Sequence, residues 1–392
     1  MTQFSLVKLF PIQLPPLSLY IHIPWCVQKC PYCDFNSHAQ KGSIPETEYV
    51  THLLTDLKQD LVRYHASIAN RKLHSIFIGG GTPSLFSVQS IDYLLNQIKQ
   101  LIPFEDNIEI TLESNPVTAE SDRFVGYAQA GVNRISIGIQ SFNNEKLQRL
   151  GRAHNAVEAK SAVRFAQHSG LNSFNLDLMH GLPNQSLVQA LDDLQQAIAL
   201  KPPHLSWYQL TIEPNTMFAY RPPKLPDEDE LWDIFEQGHQ LLSKAGYQQY
   251  ETSAYAKVDF QCQHNLNYWR FGDYLAIGCG AHGKLSFADG QILRFSKTKH
   301  PKGYMRGEYL YEEKNIPFSE RPFEFFMNRF RLLEPMEKQQ FELLTGLAQS
   351  AVEKQIDWAL EKNYLSETNR TWQITEQGKL FLNELLTEFL PD

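Results

Sequence analysis

The chain of 392 residues is 42% hydrophobic and 20% charged, the balance of an ordinary globular protein, with room for one large domain and one or two smaller units. Its formal net charge of −8 at pH 7 excludes a global attraction to nucleic acid or anionic lipid, and no apolar run approaches the roughly eighteen residues of a spanning helix. Five cysteines, an odd number with three of them clustered, speak against a secreted disulfide framework.

Residues 1–17 read as an N-terminal arm. Lys8 interrupts its apolar run and Pro11, Pro15 and Pro16 break it, so it is not read as a signal peptide; with the first arginine at Arg63 it is not read as a transit peptide either. A cytoplasmic protein without an integral membrane segment is expected. Beyond the arm, strands are predicted at Ser18 to Ile23, Ser75 to Ile78, Ile108 to Leu112, Arg134 to Ile137, Ser173 to Leu178 and His204 to Leu210. Amphipathic helices are predicted between them at Pro45 to Tyr64, Ser87 to Lys99, Ser121 to Ala130, Asn143 to Leu150, Ala156 to Ser169 and Leu187 to Leu200. Strand then helix, six times over, implies an α/β core at 18–214 with a parallel sheet under outer helices. Ligand sites in such barrels gather at the C-terminal strand ends.

The prolines of the stretch from Pro214 to Asp229 mark a junction, and its acidic run Asp-Glu-Asp-Glu reads as the N-terminus of a helix from Glu230 to Lys244. Gln248 to Ala256 and Ala281 to Phe287 look strand-like, so 215–320 is read as a linker with a small α/β extension. From 321 to 392 the pattern changes. Helices are predicted at Pro322 to Arg331, Gln339 to Leu344, Ser350 to Lys362 and Glu376 to Phe389, with a short strand-like run Thr371-Trp-Gln-Ile-Thr before the last, a winged-helix-like order. That segment holds eight Lys and Arg against twelve Asp and Glu. Its negative charge makes a lid or partner-docking surface a better reading than DNA binding, which rests on phosphate neutralisation.

Chemistry concentrates in the run Cys26-Val-Gln-Lys-Cys30-Pro-Tyr-Cys33. Three thiols at this spacing can hold three corners of a four-iron ([4Fe-4S]) cluster and leave one iron for an exchangeable ligand, since Cys262 and Cys279 lie far downstream. A zinc knuckle is the alternative, but structural zinc ligands come in separated pairs. After the second strand, Gly79-Gly-Gly-Thr82-Pro reads either as a plain tight turn or as a backbone that approaches a ligand closely. Glu113, Gln140, Arg152 and Asp177 follow at or near strand ends, each also readable singly as a surface or cap residue. A carboxylate there can accept from hydroxyls or an ammonium, and a guanidinium can fork onto a carboxylate.

Leu19-Tyr-Ile-His-Ile-Pro-Trp-Cys26 leading into Cys30-Pro-Tyr-Cys33-Asp-Phe35 resembles the signature of the radical S-adenosylmethionine (SAM) enzymes, in the branch containing oxygen-independent coproporphyrinogen III dehydrogenase. The resemblance implies a partial (β/α)6 barrel, a [4Fe-4S] cluster on Cys26, Cys30 and Cys33, and SAM chelating the open iron, with an electron donor for the cluster as a partner. It also implies SAM contacts at Tyr20, Tyr32, Gly80, Gly81, Thr82, Glu113, Gln140, Arg152 and Asp177. Two departures weigh against coproporphyrinogen decarboxylation. The dehydrogenase has a further cysteine where this chain has Phe35, and a longer segment ahead of the cluster than the 25 residues found here.

A second signature, His264-Asn265-Leu-Asn-Tyr268-Trp269, resembles the His-Asn-x-x-Tyr-Trp motif of the haem chaperone (HemW-like) subgroup of this family. An imidazole is a competent axial iron ligand and the adjacent rings offer flat faces to a macrocycle, which makes His264, Tyr268 and Trp269 the expected haem residues. A packed aromatic corner is the other reading, and Cys279-Gly-Ala-His282 offers a rival ligand. Three functions follow in order: a haem-binding chaperone that delivers haem to an acceptor protein, a radical SAM oxidoreductase acting on a porphyrinogen, and a nucleic-acid-binding module in the C-terminal segment.

Overall fold

The computed structural model describes residues 11–40 and 42–391; most of the expected arm, 1–10, lies outside the described residues. Six strands pair in parallel in chain order: β1 (Leu17–Ile23), β2 (Leu73–Gly80), β3 (Phe104–Ser114), β4 (Arg134–Gln140), β5 (Ser173–His180) and β6 (His204–Gln209). Between them run α1 (Glu46–Arg63), α2 (Val88–Leu101), α3 (Ser121–Gln129), α4 (Asn144–Arg149), α5 (Ala156–His168) and α6 (Leu187–Ala199). Local chemistry sets the helix starts. Ser87 caps α2, and reciprocal boxes from Asn155 and Glu158 and from Ser186 and Gln189 open α5 and α6, each satisfying otherwise unpaired N–H groups. Leu19, Ile21 and Ile23 of β1 pack in one core with Leu53 and Leu57 of α1, while the alternate residues Ser18, Tyr20 and His22 turn to the barrel interior, as a two-residue period requires.

The strands of 248–315 join both edges of the same sheet, and this is where the structure departs from the expected appended unit. After α7 (Glu228–Lys244), opened by the acidic run through a box from Asp227 and Glu230, the single strand expected over Gln248 to Ala256 is a hairpin. β7 (Gln248–Glu251) and β8 (Ala254–Ala256) fold about Thr252 and Ser253, with the Ser253 N–H donating to Glu251 Oε1 at 2.9 Å. The aromatic motif forms a helix, α8 (Gln263–Trp269). Next, β9 (Asp273–Ile277) lies parallel to β1, followed by antiparallel β10 (His282–Ser286), β11 (Ile292–Lys297) and β12 (Leu310–Asn315). The result is one twelve-stranded sheet, β12-β11-β10-β9-β1-β2-β3-β4-β5-β6-β8-β7.

A second hydrophobic cluster gathers Phe325, Phe326, Phe341, Trp372 and Phe389 with Phe271 and Ile292. Around it, Met336–Glu337, Thr371–Ile374 and Leu365–Glu367 form a small antiparallel sheet beside three helices, the winged-helix-like pattern. The expected final helix is broken at Phe381, whose ring stacks on Tyr364 at 5.5 Å, into Glu376–Leu380 and Leu382–Thr387.

Candidate functional site

The loop leaving β1 brings Cys26, Cys30 and Cys33 to the C-terminal mouth of the barrel, where all three free thiols are half-buried and line one chamber of about 610 Å³. Each sulfur has a donor beside it: Thr82 at Cys26, the Arg152 guanidinium 3.7 Å from Cys30 Sγ, and the Ser37 hydroxyl 3.7 Å from Cys33 Sγ. That donor set suits sulfurs carrying negative charge. Cys262 and Cys279 are buried elsewhere and line no part of this chamber. Burial pushes both of those thiols up to about 12.

The glycine loop after β2 is stitched to the cysteine loop. Gly81 N–H donates to Ile23 O at 2.8 Å and Thr82 N–H to Trp25 O at 2.7 Å. A Cβ on Gly81 would sit 2.6 Å from Trp25 O, and one on Gly80, whose φ is +119°, would sit 2.6 Å from the His22 ring. Close approach therefore explains these two glycines, Gly80 meeting the His22 ring of β1 and Gly81 the backbone of the loop that leads to the cysteines.

Glu113, near the end of β3, accepts from Gly80 N–H at 3.0 Å. Burial first, and the charge of Asp177 second, push its carboxyl up to about 8. Asp177 lies inside β5, accepting from Ser136 at 2.9 Å and Asn175 at 2.7 Å, and burial raises it as well. Gln140 ends β4 with φ +66° and accepts from the Tyr208 hydroxyl at 2.9 Å. Arg152 donates to Gly138 O at 2.6 Å and keeps a buried Nε without a partner. Tyr32, in the cysteine loop, shares this chamber with them. Tyr20 faces an adjoining chamber and donates to His22 Nδ1 at 2.9 Å, while the other ring nitrogen of His22 donates to Asn36 O. Sequence reasoning missed Ser136, Ser206 and Tyr208, which line the same wall. The two-residue alternation along β4 and β6 was the signal that marks them.

The haem motif is placed differently from expectation. The Glu109 carboxylate accepts from the N–H groups of Gln263 and His264 at 3.1 and 3.0 Å, starting α8 inside the barrel near the N-terminal strand ends. Asn267 anchors it to Ser18 Oγ at 2.8 Å. His264 is 4% exposed, stacked on Phe77 at 4.4 Å and edge-on to Tyr268 at 4.6 Å, and it lines neither chamber. Burial lowers its pKa to about 3. The structure thus separates the three expected haem residues: His264 is a sealed pillar, Trp269 reaches the thiol-lined chamber, and Tyr268 reaches the adjoining one.

Comparison with known proteins agrees with this geometry. The model of the radical SAM superfamily matches residues 20–195, and that of the HemN C-terminal domain matches 318–381. The chain is 76% identical over 380 residues to the heme chaperone HemW of Haemophilus influenzae, covering 97% of this chain and 99% of that one. It is 62% identical over 381 residues to the heme chaperone HemW of Escherichia coli, covering 97% and 100%. The solved structure of coproporphyrinogen III oxidase (HemN) from Escherichia coli superposes with a TM-score of 0.80 over 96% of this chain and 90% of that one, at 22% identity, a likeness of fold. With the thiol loop, the barrel and near-complete coverage at these identities in agreement, the chain belongs to the radical SAM haem chaperone family named for HemW.

Proposed function

We propose that this chain binds haem and passes it to an acceptor protein, on a core in which Cys26, Cys30 and Cys33 hold a [4Fe-4S] cluster and SAM fills the chamber beside it. The observation that carries the reading is convergence: three thiols, each with a donor, share one chamber with Gly80, Gly81, Thr82, Glu113, Gln140, Arg152 and Asp177. When bound, the cluster supplies one electron at a time to SAM, so an external electron donor belongs to the proposal. In this arrangement Glu113 and Asp177 face the cationic groups of SAM, Arg152 its carboxylate, and Tyr32 and Gln140 complete the walls, with Tyr20 bordering from the adjoining chamber.

The names of the relatives support haem transfer over porphyrinogen oxidation, and so does Phe35 in place of a further cysteine. The acidic segment 321–392 is assigned to acceptor docking rather than to nucleic acid, and the site of action to the cytoplasm. The test is a haem titration of anaerobically reconstituted protein, followed at the Soret band, with iron, sulfide and SAM binding measured on the same samples. Saturable one-to-one binding is expected, together with loss of the cluster and retention of the fold when Cys26, Cys30 and Cys33 are changed to Ala. Cluster-loaded protein that takes up no haem, yet converts a porphyrinogen anaerobically, overturns the proposal.

A further inference from the structure

The turn Gly278-Cys279-Gly280 between β9 and β10 belongs to a motif that the sequence offers as a rival ligand, yet Cys279 is fully buried and lines neither chamber. What the turn meets instead is the thiol loop. Both glycines are left-handed, with φ of +100° and +74°, and each is pressed against one end of that loop. A Cβ on Gly278 would sit 2.3 Å from His22 O, just ahead of the loop. A Cβ on Gly280 would sit 2.2 Å from Asn36 Nδ2, three residues after Cys33.

Hydrogen bonds close both contacts. The half-buried Asn36 side-chain amide donates to Cys279 O and to Lys299 O, both at 2.9 Å, so its two N–H groups grip carbonyls from two segments. Its backbone carbonyl accepts from the His22 ring at 2.9 Å, which links the two ends of the loop directly. At the other end, the Tyr49 hydroxyl donates to His22 O at 2.8 Å and accepts from Cys279 N–H at 2.9 Å. The turn is itself fixed, Gly278 N–H donating to the Tyr304 hydroxyl and Gly280 N–H to Thr298 O, each at 2.9 Å. By contrast, the pairing at the base of the thiol loop is short, Trp25–Cys26 against His38–Ala39. Ser37 follows Asn36 directly, is buried, and directs its hydroxyl at Cys33 Sγ, 3.7 Å away, and at the Cys26 thiol. Where Asn36 is held therefore decides where this donor stands relative to two of the three sulfurs.

We infer that Asn36 is a positioning residue for the cluster: clasped by the Gly278–Gly280 turn and by Lys299 O, it fixes the far end of the thiol loop, and with it the Ser37 hydroxyl, relative to β1. The inference rests on the cluster reading above. Gly280 supplies the room for the amide, and Lys299 supplies a backbone carbonyl that does not depend on its side chain. Groups that orient the ligands of a metal centre, without touching the metal, govern how tightly it is kept.

The full chain is reconstituted anaerobically, and the parent is compared with Asn36→Leu, Gly280→Ala, the double variant and Lys299→Ala. Iron release to a chelator and the electron paramagnetic resonance signal of the reduced cluster, with and without SAM, are recorded on each, with circular dichroism to verify the fold. Asn36→Leu keeps the volume and removes both donors. It is expected to release iron roughly tenfold faster or more, and to replace a single signal by a heterogeneous one. Gly280→Ala should do the same by expelling the amide, and the double variant should be no worse than the more affected single one, because both break one clasp. Lys299→Ala keeps the carbonyl and is expected to match the parent. Folded Asn36→Leu protein with parental release and signal overturns the clasp, and so do additive losses in the double variant or a loss in Lys299→Ala. A parent chain that takes up no cluster overturns the proposed function itself, so the two failures are told apart.

Discussion

Glu113 and Asp177 are two buried carboxyls, the charge of Asp177 adds to the cost of ionising Glu113, and the proposed function gives them one cationic partner. With its carboxyl pushed up to about 8, much of Glu113 carries a proton at neutral pH. A protonated carboxyl accepts poorly from an ammonium, so SAM affinity is expected to rise by up to about tenfold per pH unit between pH 6 and 8 and to level off above. Isothermal titration across that range checks it, and Glu113→Gln should flatten the slope while costing roughly tenfold or more in affinity at pH 8. The folding linkage has the opposite sign. The folded chain holds this proton through the interval between the ordinary carboxylate range and pH 8, where the unfolded chain does not, so stability falls as pH rises through it.

His264 gives a second residue-scale prediction. His264→Ala removes a ring packed against Phe77 and Tyr268 and is expected to cost about 3 kcal/mol in stability. His264→Phe refills the space, and haem affinity close to that of the parent is expected from it. A Phe variant that is fully folded and yet unable to bind haem would return the ligand role to this imidazole.

Among the elements, the pairing of α1 with β11 rests on charge. Lys297 is fully buried, with its ammonium 2.6 Å from Asp56 Oδ1 and 2.8 Å from Asp60 Oδ2. Tyr304 donates to the second oxygen of Asp56 at 2.7 Å. Burial raises both carboxyls, Asp60 up to about 7, and Lys297 opposes the rise. Lys297→Met leaves two acids in a dry core, a loss on the order of 3 to 5 kcal/mol. The thermal midpoint should drop further at pH 8 than at pH 5.5, because the stranded carboxyls can take up protons at the lower pH. This network also explains what sequence reading left out. A lysine inside β11 and exposed Glu312 and Glu313 in β12 hide the apolar alternation by which β1 to β6 were legible. The helices between those strands announced themselves through cap residues such as Ser87 and Asn155. At the site, the cysteine spacing and strand-end carboxyls were readable because they are local. The burial of His264 depends on a carboxylate from β3 and a ring from β2, more than 150 residues earlier in the chain.

At the scale of the molecule, the sheet order places β1 between β2 and β9. One neighbour follows it closely in the chain, and the other begins at Asp273. At about 5 to 20 residues per second, ribosomal synthesis leaves that side of β1 unpaired for something on the order of tens of seconds. An open edge invites pairing with other chains. It also leaves the thiol loop, which hangs from the end of β1, attached to a sheet only half assembled. On the proposed function, metallation of the three cysteines in their final setting is therefore an event of the finished polypeptide, and the supply of iron and sulfide would be matched to completed chains and not to nascent ones.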